Sequence, residues 1–135
     1  MKSLFELKTK ITPDLTVFEC MKEKAIELLS CVKKGTYTQA IVLRSVAGNE
    51  YGTIIRNALS EEKADEVSLL RKIQEAEDDE ICFVLCMWQD KSIDIPSFAF
   101  RNLLLGLTEK NSEATVFVMT TDGVDGIKLS STMKS

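Results

Sequence analysis

The run Ile81-Cys82-Phe83-Val84-Leu85-Cys86-Met87-Trp88 constrains the fold more than any other segment of the chain. An apolar stretch of this length without polar alternation describes a strand covered on both faces, in the middle of a sheet with helices above and below. The flanking segments supply those covers. Val17 to Lys34 places Val17, Met21, Ala25, Leu28, Leu29 and Val32 at helical steps, with Thr16 and Glu19 in capping-box spacing and Gly35 as its stop. Gln39 to Val46 and Tyr51 to Asn57 read as strands joined by Ala47-Gly48-Asn49-Glu50, a hairpin. Ser60 caps a second helix, Glu61 to about Glu77, with Val67, Leu69, Leu70 and Ile73 as its buried stripe. Pro96 opens a third helix, Ser97 to Glu109. Ala114 to Thr121 is a strand, Asp122 to Gly126 a turn, and Ile127 to Ser130 a short returning strand.

This alternation predicts an α/β fold: three α-β-α layers around a mixed five-stranded sheet, with the third and fourth strands parallel because a helix joins them. With 135 residues, 44% of them hydrophobic, the chain is expected to form a single domain over 1–135, with 1–12 and 131–135 peripheral or frayed. The third helix is apolar nearly all round. Phe98, Ala99, Phe100, Leu103, Leu104, Leu105 and Leu107 cannot all face one sheet, so segment 97–109 is expected to pack against a second copy of the chain or a protein partner.

Much chemistry is excluded by subtraction. The chain contains no histidine, which removes Ser-His-Asp and Cys-His catalysis and every imidazole metal site. Seventeen Lys and Arg against 21 Asp and Glu give a net charge of −4, so charge does not drive nucleic-acid binding. No run of about 18 apolar residues predicts a membrane span. Four cysteines without CxxC spacing read as reduced thiols of a cytoplasmic protein. On a strand, Cys82 and Cys86 lie roughly 13 Å apart at ~3.3 Å per residue, too far to share one zinc. No phosphate-binding glycine loop is present.

Glu66 is the unusual residue. At about 100° per residue it lies on the helix's apolar stripe, between Leu69 at about −60° and Leu70 at about +40°. Its carboxylate either reaches a backbone N–H or solvent, the expected outcome, or faces a pocket beneath the helix N-termini. Phe98 and Phe100 could stack on a planar ligand, but aromatics opening a buried helix are expected in the core. Trp88, at the end of the central strand, either packs there or lines a ligand cleft. Arg44, Arg56 and Arg101 are expected to be solvated separately rather than gathered on an anion.

Two segments and the element order carry a resemblance. Ala64-Asp65-Glu66-Val67-Ser68-Leu69-Leu70-Arg71 is similar to the His-Ala-Glu helix of the cytidine deaminases, and Pro96-Ser97-Phe98-Ala99-Phe100-Arg101 to their Pro-Cys-x-x-Cys helix. Asn57-Ala58-Leu59-Ser60 resembles their nucleoside-contacting segment, and the likeness spans roughly residues 16 to 130. The family holds zinc through one His and two Cys, and the zinc acidifies a water while a Glu shuttles protons. The resemblance puts Ala64, Ser97 and Phe100 at the ligand positions and Glu66 at the shuttle, so it implies vestigial metal positions, no metal and no cofactor. It also suggests a remnant ligand pocket of Asn57, Glu66, Trp88 and Phe98. The function expected is that of a catalytically inactive binding or assembly module. The rivals are a metal-independent enzyme using Glu66 as base with Ser97 as an anion contact, and an acidic regulatory or inhibitory subunit.

Overall fold

The computed structural model describes residues 10–11, 14–33, 37–58 and 63–133. Strand β1 (Lys10–Ile11) precedes helix α1 (Leu15–Ser30). The helix starts earlier and stops sooner than its periodicity predicts. Asp14 Oδ1 accepts the backbone N–H groups of Thr16 and Val17, both at 3.1 Å, and this charged acceptor caps the helix ahead of Thr16. The chain leaves the helix at Cys31, and the expected stop at Gly35 lies outside the described residues.

Strands β2 (Gln39–Ser45) and β3 (Glu50–Ile55) form the expected antiparallel hairpin, with Gly48 at φ 94° in the turn, where a side chain would strain the backbone. Helix α2 (Ala64–Glu75) follows. The proposed cap Ser60 lies outside the described residues; the cap position is Lys63, whose side chain makes no capping bond. Val67 is not part of the buried stripe: at about 100° from Glu66 it has rotated off it, and it is 40% exposed.

Strand β4 (Ile81–Trp88) is central, as its apolar run requires. The short strand β5 (Ile93–Asp94) and helix α3 (Phe98–Leu107) come next, then a 3-10 turn (Glu109–Glu113) and strand β6 (Thr115–Thr120). Strand β7 (Gly123–Lys128) begins where a turn was expected. Two aspartates and two glycines in Asp122 to Gly126 read as a turn, but only Thr121 and Asp122 turn; Gly123, at φ 113°, starts the return and Asp125 pairs with Val118. The expected strand over 127–130 therefore ends at Lys128, and Leu129–Thr132 form a helical turn, α4, with Leu129 completely buried.

The sheet order is β1-β7-β6-β4-β2-β3. The five longer strands make the predicted mixed sheet, and the two-residue strands β1 and β5 extend it. Strand β4 runs antiparallel to β2 from Gln39↔Trp88 to Ser45↔Ile81 and parallel to β6 only through Phe83↔Thr115 and Val84↔Val116. Beyond that junction β5 pairs with Cys86 and Met87.

Helix α1 covers one face, packing Phe18, Met21, Ala25 and Leu29 on Ala40, Val42, Leu85 and Met87. Phe117 joins this layer, edge-on to Phe18 at 5.2 Å and stacked on Phe83 at 5.5 Å. Helices α2 and α3 cover the other face, packing Leu69, Leu70, Ile73, Phe100 and Leu104 on Ile41, Leu43, Val84 and Cys86. Among the described residues no helix is long and apolar enough to cross a membrane.

Below this second layer Asn111 is completely buried. Its Oδ1 accepts Ile81 N–H at 2.7 Å, while Nδ2 donates to the carbonyls of Asp79 at 3.0 Å and Leu104 at 2.9 Å. Nearby, Asp78 accepts the Tyr51 hydroxyl at 2.7 Å and the Asn49 amide at 3.0 Å. Hydrogen bonds from Asn49, Ser45 and Tyr51 hold its carboxyl below the usual range.

Candidate functional site

The openings of α2 and α3 present the residues that the sequence singles out. Glu66 lies in the first turn of α2, on the stripe with Leu69, Leu70 and Ile73, and is 3% exposed. Its carboxylate does not escape to solvent, and Lys63 Nζ lies 3.6 Å from its Oε2. Lys63 is the residue that sequence reasoning missed. Its signal was the i,i+3 spacing, which brings the two side chains together on one helix face. Behind Glu66 lies Cys86, whose thiol is pushed up by burial first, then by the charges of Asp94 and Glu66. A thiol so held is a packing group rather than a nucleophile.

At the mouth of α3, Ser97 Oγ accepts the Phe100 N–H at 3.2 Å and caps the helix. Phe100 is completely buried against the sheet. Phe98 is not the core residue expected: it is 58% exposed, and its ring lies 5.7 Å from the Arg101 guanidinium. The two rings are two residues apart and so about 200° apart around the helix, which sends them to opposite sides. Arg101 is tied down by its Nε to the Pro96 carbonyl at 2.9 Å and by Nη1 to the Thr132 carbonyl at 2.6 Å. Arg44 pairs with Glu50 across the hairpin at 3.4 Å, so these arginines do not share one anion.

Trp88 is half-buried, and its Nε1 donates to Asp94 Oδ2 at 3.0 Å. With Tyr37, Thr38, Gln89, Asp90 and Ser92 it lines a cavity of about 430 Å³ at the end of the sheet. Tyr37 holds φ 62°, the left-handed region that bulky residues avoid. Asn57 is exposed. Asn57, Glu66 and Phe98 do not line the Trp88 cavity, so the four expected pocket residues do not gather there. A second hollow of about 610 Å³ runs between α2 and α3, with Val67, Leu70, Leu103 and Leu107 inside and Lys63 and Arg71 at its rim.

The donor set at the three expected metal positions does not fit zinc. Ala64 has no donor, the Ser97 hydroxyl is engaged by a backbone N–H, and Phe100 presents a buried ring. An ammonium lies beside the carboxylate instead. Among the described residues no group of three or more His, Cys, Asp or Glu side chains is arranged to hold a metal ion.

No protein-family pattern and no curated protein sequence matches the chain. Solved structures do. The cytidine deaminase of Mycobacterium leprae is similar with a TM-score of 0.65 at 14% identity, over 87% of this chain and 98% of its own. That of Mycobacterium tuberculosis is similar at 0.62 and 10% identity, over 87% and 94%. That of Burkholderia pseudomallei gives 0.62 and 13%, over 84% and 93%. The chain thus has a cytidine deaminase-like fold, and at these identities the likeness is one of fold.

Proposed function

We propose that this protein is a catalytically inactive member of the cytidine deaminase-like superfamily that serves as a binding or assembly module in the cytoplasm. The observation that carries the reading is Phe100: a completely buried ring stands where the resemblance calls for a thiolate ligand. Ala64 and Ser97 at the other two positions support it, as does the Lys63 ammonium, which balances Glu66 without a metal. Glu66 in this reading is a buried, paired carboxylate and does not transfer protons, which argues against the metal-independent enzyme.

The module's ligand-facing part is the Trp88 cavity, where an indole and a phenol stand among amide, carboxylate and hydroxyl groups. Such a lining suits a small planar, hydrogen-bonding ligand of nucleoside type. Its assembly-facing part is the exposed surface of α3, where Phe98 stands outside and Leu103 opens into the hollow shared with α2. The direct test is metal analysis of the purified protein together with an ammonia-release assay on cytidine. The expected result is far less than one zinc per chain and no release. Stoichiometric zinc, or deamination, overturns the reading.

A further inference from the structure

Among the described residues three non-glycine residues hold a positive φ, and two of them border the Trp88 cavity. Tyr37, at 62°, lines it; Lys91, at 72°, stands between two lining residues, Asp90 and Ser92. Left-handed backbone is costly for such side chains, and strain of this kind collects where a site has to be shaped. The Tyr37 carbonyl is anchored by the Ala58 N–H at 2.9 Å, and its phenol shares the cavity with the Trp88 indole. Lys91 stays out of the lining and borders a separate hollow of about 290 Å³ with Ile26, Leu29 and Val32.

The cavity therefore carries charge of one sign. Asp90 lines it, and no lysine or arginine does. Lys33 and Arg56 meet the lining through main-chain carbonyls, which accept Gln89 Nε2 at 3.2 Å and Thr38 Oγ1 at 3.4 Å. Hydrogen bonds from the Ser92 hydroxyl and N–H to Oδ1 hold the Asp90 carboxyl below the usual range, so it is ionised at neutral pH. A second carboxylate, Asp94, accepts the Trp88 Nε1–H at 3.0 Å. An anion on that edge enriches the indole face in electrons and strengthens its attraction for a cation. The hollow between α2 and α3 has the opposite character, with Lys63 and Arg71 at its rim.

We propose that the Trp88 cavity selects nucleosides whose base ring carries a positive charge, such as N-methylated bases, over neutral ones. The inference rests on the reading of this cavity as the ligand site and narrows its ligand class. At about 430 Å³ the cavity falls in the range of small-ligand sites. A cationic ring stacks on an aromatic face with a charge attraction that a neutral ring lacks, and the Asp90 carboxylate adds to it. The same carboxylate repels a phosphate, so the ligand is the nucleoside rather than its nucleotide.

Trp88 is the single tryptophan, so its fluorescence reports on the cavity directly. The test is a fluorescence titration at neutral pH with two matched pairs, 1-methyladenosine against adenosine and 3-methylcytidine against cytidine, the methylated member of each being a cation. That member is expected to bind about tenfold tighter. Asp90→Asn keeps an acceptor for Ser92 while removing the charge, and is expected to reduce the ratio severalfold. Tyr37→Gly removes the ring and relieves the left-handed strain; it is expected to weaken cation binding without lowering the melting temperature. Equal binding of the two members of a pair overturns the inference and leaves the cavity a nucleoside site, and a ratio that Asp90→Asn does not reduce also overturns it. Absence of binding by all four nucleosides overturns the inference together with the reading of the cavity on which it rests. If Asp90→Asn fails to fold, the wild-type ratio and Tyr37→Gly decide.

Discussion

Asn111 holds together three pieces of backbone that no regular ladder joins: the start of β4, the link before it and the end of α3. Truncation leaves a buried N–H and two carbonyls without partners, and each such group costs on the order of 1–3 kcal/mol. Asn111→Ala is expected to lower the unfolding free energy by about 3 kcal/mol in urea titration, with the folded spectrum retained. Nothing in Glu109-Lys110-Asn111-Ser112-Glu113 announces this, because a polar run reads as a solvated link until a tertiary neighbour claims one side chain. Glu66 was half legible. Helical geometry put it on the apolar stripe but did not show the lysine that stands beside it one turn back, a neighbour that depends on where α2 begins. Phe98 and Phe100 show a similar boundary: composition placed both inside, and the helix phase separates them.

Between elements, α1 passes close over β3 at Gly52. A Cβ built there would lie 2.9 Å from Leu28 Cδ1 and 3.5 Å from Lys24 Cε. Gly52→Val must push α1 or Leu28 aside and is expected to cost about 2 kcal/mol by chemical denaturation, with Gly52→Ala costing less because the end of Leu28 can move. The hairpin, the central strand and the three helices were all legible, since each repeats its period over enough residues to be seen. What escaped were signals of a few atoms: the Asp14 cap, the true turn at Thr121 and Asp122, and the two-residue strands β1 and β5, which pairing alone defines.

For the whole molecule, the three-layer architecture followed from a single apolar run and its flanking helices, and the solved deaminases share it. Covering the face of α3 is an assembly question. Leu103 is exposed on it, so Leu103→Glu is expected to lower the assembly mass by light scattering while the melting temperature stays near wild type. The brief meeting of β4 with β6, confined to Phe83↔Thr115 and Val84↔Val116, has a mechanical consequence. The protein is two plates riveted along a short seam, the β4-β2-β3 plate on one side and the β6-β7-β1 plate on the other. Local opening is expected along this seam, beside the Phe83 and Phe117 stack, and amide hydrogen exchange faster there than across the β2–β4 ladder is the measurement that checks it.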